Sequence, residues 1–153
     1  MGLDMYLSRK ETNKDTISKE LCYWRKANQI HKWFVDNGIQ KSEREWMITK
    51  MKLKELLDLC KQVQQKAILV NGKIKNGYTY KDGVQEPIIQ DGKIIKNHKE
   101  IAELLPTQSV FFFESTNYDE YYMSDIIYTI GQLEHILEED KDKDVMYIYE
   151  ASW

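Results

Sequence analysis

"AILVNGKIKNGYTYKDGVQEPIIQDGKIIK", Ala67 to Lys96, decides the fold class. It holds four turn signals, "VNGK", "KNGY", "KDGV" and "QDGK", separated by short β-prone pieces such as "AILV", "YTY" and "PII". Asn-Gly and Asp-Gly supply the positive-φ residues that tight hairpins require. The stretch reads as a hairpin or small meander over about 67–96, with a mostly irregular loop as the alternative. Either way it breaks a regular strand–helix alternation, which favours an α+β architecture over a doubly wound sheet.

Strand and helix patterns flank it. "GLDMYL" (Gly2–Leu7) alternates Leu3, Met5 and Leu7 against Asp4 and Tyr6, a half-buried strand. In "KELCYWRKANQIHKWFVDNG" (Lys19–Gly38), Tyr23, Ala27, Ile30 and Phe34 recur at helical spacing. The spacing predicts a helix capped by Ser18 and ended by Asn37-Gly38. "REWMIT" (Arg44–Thr49) reads as a short strand, and Thr49 as the cap of a helix with stripe Leu53, Leu56, Leu57, Cys60 and Val63. In "NHKEIAELLP", Asn97 and Glu100 have capping-box spacing, and Pro106 stops the short helix by Leu105. "SVFFF" (Ser109–Phe113) predicts a central strand covered on both faces. A long helix follows from about Tyr118 to Glu138, and "DVMYIYEASW" forms a last strand whose terminal Trp153 is expected to dock. The expected fold is a single-layer mixed or antiparallel sheet of about four strands with helices packed on it, plus the hairpin excursion. Residues 1–153 read as a single domain.

Composition excludes several classes. The chain has 153 residues, 42% hydrophobic and 31% charged, too apolar for a disordered protein. A net charge of −3 leaves no footprint for general nucleic-acid binding. No apolar run is long enough to span a membrane, and "MGLDMYLSRK" lacks a secretory pattern. The two cysteines, Cys22 and Cys60, form no C-x-x-C motif, and the reading is cytoplasmic with reduced thiols. No Gly-rich phosphate loop follows a strand. No cofactor is expected. His31, His98 and His135 share no ligand spacing, so no metal is expected either.

Chemistry concentrates in two places. "FFFESTNYDEYY" (Phe111–Tyr122) sets Ser115, Thr116 and Asn117 before Asp119 and Glu120. Local structure accounts for this polarity as a helix start, because acids suit the positive end of the dipole. As a binding loop it would offer Glu114, Ser115, Thr116, Tyr118, Asp119, Tyr121 and Tyr122, and its three acids disfavour bare phosphate. On the first helix, Trp24, Asn28 and His31 share a face beside Arg25. They read either as an exposed binding strip or as the edge of a buried face. No catalytic set is assigned. His31 as base, Ser115 as nucleophile and Asp119 as orienter are candidates by residue type alone, without a nucleophile elbow.

"MGLDMYL", "CYWRKANQIHKWF", "ELLPTQSVFFFESTNYDEYY" and the terminal "SW" together resemble a family of small proteins encoded by bacteriophages and prophages. The chain departs from that pattern at Val110 and Glu114, where the family tends toward glycine. The resemblance brings no catalytic assignment. It implies a phage accessory protein in the bacterial cytoplasm that binds a host or phage macromolecule, with inhibition of host defence among the possibilities and a protein as the expected partner. The alternatives are a nucleotide-like small-molecule site between the first helix and the Ser115–Asp119 loop, and a hydrolase using His31 and Ser115.

Overall fold

A computed structural model describes residues 2–11, 16–109 and 116–153. The expected "SVFFF" strand, Glu114 and Ser115 therefore fall largely or wholly outside the described residues. Within them the chain runs β1 (Asp4–Glu11), β2 (Ile17–Arg25), α1 (Asn28–Asn37), β3 (Ile39–Ser42), β4 (Glu45–Thr49), α2 (Lys50–Lys66), β5 (Leu69–Lys81), β6 (Val84–Ile95), α3 (His98–Leu104), α4 (Glu120–Glu139) and β7 (Val145–Ser152). The fold is α+β. An antiparallel sheet of order β2-β1-β7-β4-β3 carries the helices, and β5 and β6 form a separate two-stranded arm.

The terminal strand β7 occupies the centre of the sheet. Its run Tyr147-Ile148-Tyr149 is buried throughout, which a strand covered on both faces requires. The register aligns the inward side chains: Met5 pairs with Trp24 and Ala151, Leu7 with Cys22 and Tyr149, and Tyr149 with Trp46. Phe34 of α1 stacks on Tyr149 with ring centroids 4.2 Å apart. Trp153 docks as expected: its ring lies 5.9 Å from that of His31, under the Arg44 guanidinium at 4.5 Å.

The predicted first helix is corrected. Ile17–Arg25 is strand β2, and the helix begins only at Asn28. The boundary lies at Lys26, a non-glycine residue at φ 58°, and the helix is capped by Ala27 with no side-chain hydrogen bond. Ser18, the expected cap, lies within the strand, so no helix starts there. By contrast α2 forms as read, with Thr49 accepting the Lys52 N–H at 3.1 Å and the five stripe residues buried.

The far end of α4 is held by charge. The Asp140 carboxylate is fully buried and takes two hydrogen-bond-length contacts of 2.8 Å from Arg9, whose Nε donates to Oδ2 while Nη2 meets Oδ1. Tyr147 donates to Oδ2 at 2.7 Å, and Lys50 Nζ donates to the Asp140 carbonyl at 2.6 Å. This set joins β1, β7 and the start of α2 to the end of α4, and its hydrogen bonds raise the Arg9 pKa against the opposing effect of burial.

Candidate functional site

The arm is a long hairpin with a single turn. Asp82 and Gly83, at φ 52° and 76°, supply the two left-handed residues of a tight hairpin turn between β5 and β6. Only "KDGV" among the four turn signals reverses the chain. Asn76-Gly77 lies in a bulge, with Gly77 at φ 83°, and Gly72 and Gly92 face one another across the ladder. A Cβ on Gly72 would strike the Ile94 side chain, and one on Gly92 would strike Ile74 and Glu120, so both positions stay bare to seat the base of the arm.

The loop before α4 is stitched to that base. Ile95 N–H donates to the Tyr118 carbonyl at 2.9 Å, Ile94 and Asp119 form an antiparallel bridge, and the Glu120 carboxylate accepts the Lys93 N–H at 2.8 Å. Asp119 caps α4, accepting from the Tyr121 and Tyr122 N–H groups at 3.0 and 3.1 Å. Thr116 and Asn117, among the caps expected from sequence, precede the helix without capping it, and Ser115 lies outside the described residues. Burial raises the Asp119 pKa, against the two backbone hydrogen bonds that lower it. Tyr118 is half-buried and its hydroxyl accepts the Thr107 N–H at 3.0 Å, whereas Tyr122 is buried and donates to the Leu105 carbonyl at 2.6 Å. Thr116 and Tyr121 are exposed.

The expected Trp24–His31 strip is not on the surface. Trp24, Asn28 and His31 are all buried, and only Arg25 of that group is exposed. Trp24 projects inward from β2, where its indole donates to Thr129 at 2.9 Å. Asn28 is hydrogen-bonded to the backbone of Gln108 through both its amide nitrogen and its oxygen. His31 Nδ1 lies 2.6 Å from the Tyr149 hydroxyl, and burial lowers its pKa to about 4. α1 does lie beside the start of α4, since Gln29 donates to the Tyr122 carbonyl at 3.2 Å. The seam between them is filled by these contacts, however, and offers neither a stacking face nor an accessible base. His31 is therefore enclosed and engaged, which removes the base that a hydrolase reading needs.

What the loop does border is a cleft on the other side. A space of about 390 Å³ is enclosed by the arm, His98 at the start of α3 and residues 116–119. Its walls are Ile74, Ile89 and Ile94 with Tyr118, and Lys73 and Lys75 stand at its rim. No group of three or more His, Cys, Asp or Glu among the described residues could hold a metal ion. The sequence marks the 67–96 hairpin as a second contact for a protein partner, but it does not single out the residues that matter in it: Lys75, Ile89, the tip tyrosines, and His98 beneath. A signal existed. An Asp-Gly turn at 82–83 fixes the pairing that sets Tyr78 opposite Pro87, and the bulge at Asn76-Gly77 shifts it by one residue so that Lys75 lies opposite Ile89.

Asp125 also escaped notice. It sits at the edge of the α4 stripe, mostly buried, and burial with the nearby charge of Asp119 raises its pKa to about 7. Its carboxylate has no hydrogen-bond or ion-pair partner among the described residues. No family model, curated protein or solved structure matches the chain. Among the described residues no helix is long and apolar enough to cross a membrane.

Proposed function

We propose that this is a small accessory protein of phage or prophage origin that acts by stoichiometric binding of a host or phage protein, inhibition of a host defence system being one such action. The observation that carries the reading is the outer half of the arm. Tyr78, Tyr80, Val84, Ile88 and Ile89 are 51, 73, 58, 41 and 53% exposed on a two-stranded hairpin, Tyr78, Tyr80 and Ile89 on one face and Val84 and Ile88 on the other. Two-stranded hairpins are marginal alone in water, and large apolar side chains exposed on both faces of one mark an interaction site. Tyrosine supplies rigid contact area at low entropic cost.

Charge supports a protein partner over a polyanion. Between residues 75 and 90 the arm carries Lys75 and Lys81 against Asp82 and Glu86, which cancel. Affinity purification from an infected or lysogenic host tests the reading, with Tyr78→Ser/Tyr80→Ser as the arm variant. Both side chains are exposed, so the variant keeps the wild-type melting temperature, and it should lose a partner that wild type recovers in stoichiometric yield. Equal recovery of that partner by the folded variant would refute the proposal.

A further inference from the structure

We propose that the cleft at the base of the arm binds a small amphipathic anion: an aromatic or aliphatic body bearing one carboxylate or sulfonate group. The site is distinct from the tip tyrosines and does not rest on the protein-binding reading. Its volume, about 390 Å³, suits one small ligand, and isoleucines of the arm line it with Tyr118, Thr116 and Asn117, Ile89 lying opposite Lys75 on the same face of the ladder. Two polar groups open on that apolar space without being committed elsewhere. The Lys75 ammonium has no hydrogen-bond or ion-pair partner among the described residues. The His98 ring has none either; its contact is with the Tyr118 ring, 6.3 Å between centroids.

The neighbouring charges set the ligand's own. Lys73 is paired with Asp91 across the ladder, so one free ammonium remains at the rim. Asp119, also at the cleft, is buried and its carboxylate is held by two α4 N–H groups, a fixed negative group that leaves the site room for no more charge than the Lys75 ammonium can balance. A single anionic head directed at Lys75 and His98, with its body against Ile89 and Tyr118, satisfies both constraints. A polyanion or a metal chelate satisfies neither.

Fluorescence titration with 8-anilinonaphthalene-1-sulfonate, and with the uncharged N-phenyl-1-naphthylamine as its control, tests the assignment on the folded protein. The sulfonate should saturate at one per chain and bind about tenfold more tightly than the neutral probe, one charge-assisted contact being worth that much. Lys75→Gln should abolish that advantage while leaving the neutral probe's affinity unchanged. Ile89→Asp, at a half-exposed position that tolerates polarity, should weaken both probes at an unaltered melting temperature. Affinities untouched by both substitutions, or a fluorescence rise that never saturates, would overturn the proposal.

Discussion

Replacing Asp125 by Asn should stabilise the protein at alkaline pH and do nothing at acid pH. The carboxylate is mostly buried, and its pKa is raised from 3.8 to about 7, first by burial and then by the charge of Asp119. A folded-state pKa above the unfolded value means that the native protein binds the proton more tightly. Stability from this group is present below pH 3.8 and is lost as pH rises through 7. Three pKa units correspond to about 4 kcal/mol. Asn has nearly the helix propensity of Asp, and forfeits less than about 1 kcal/mol of favourable dipole interaction early in α4. The net gain at pH 8.5 is therefore about 3 kcal/mol, falling to near zero at pH 4. Urea unfolding followed by tryptophan fluorescence at both pH values measures it directly.

His31 makes the experiment sharper, because its sign is opposite. Burial lowers its pKa from 6.5 to about 4, so its contribution is present above pH 6.5 and is lost as pH falls through 4, about 3 kcal/mol in all. In the wild type the two groups offset one another between pH 4 and 7. Asp125→Asn removes one side, and the variant should lose about 3 kcal/mol over that interval while wild type changes little. A stability difference between the two proteins that is the same at pH 4 and pH 8.5 would refute the reasoning, as would a destabilised variant at pH 8.5, which would show the carboxylate to be satisfied.

Three other perturbations have definite expected outcomes. Arg9→Met strands the buried Asp140 carboxylate and should cost about 3–5 kcal/mol in urea unfolding, whereas Arg9→Met/Asp140→Leu should recover most of the loss. Deleting Trp153 removes an indole packed on the core and beneath Arg44, and should lower stability on the order of 2 kcal/mol, read as a fall of about 4–8 °C in the melting temperature. Burial pushes both the Cys22 and Cys60 thiols up to about 12, so neither should react with a thiol-specific reagent at pH 8 until denaturant is added.

Where several local signals agreed, sequence and structure coincide. α2 has a cap, a stripe and a matched burial pattern, all reading the same way. The segment before α1 carried two periods at once. Tyr23, Ala27, Ile30 and Phe34 fit a helix, while Cys22 and Trp24 alternate with Tyr23 and Arg25 as a strand does. What decides between them is not local: β1 presents a free edge, and Met5 and Leu7 on its inner side are completed by Trp24 and Cys22. The turn from strand to helix then falls on Lys26 and Ala27, neither of which announces a left-handed residue or a cap.

The candidate site failed to be legible for a related reason. Trp24, Asn28 and His31 were singled out because their side chains can bind or titrate, and a residue's type says nothing about which partner already engages it. Thr129, Gln108 and Tyr149, each at least 80 residues away in sequence, take those polar ends. The arm obeys the converse rule. Its pairing is local, set by one Asp-Gly turn and the bulge at Asn76-Gly77, and its tip lies beyond the reach of the core residues that satisfied α1. The exposure of Tyr78 and Tyr80 there follows from hairpin geometry, a short-range rule, and not from any long-range partner.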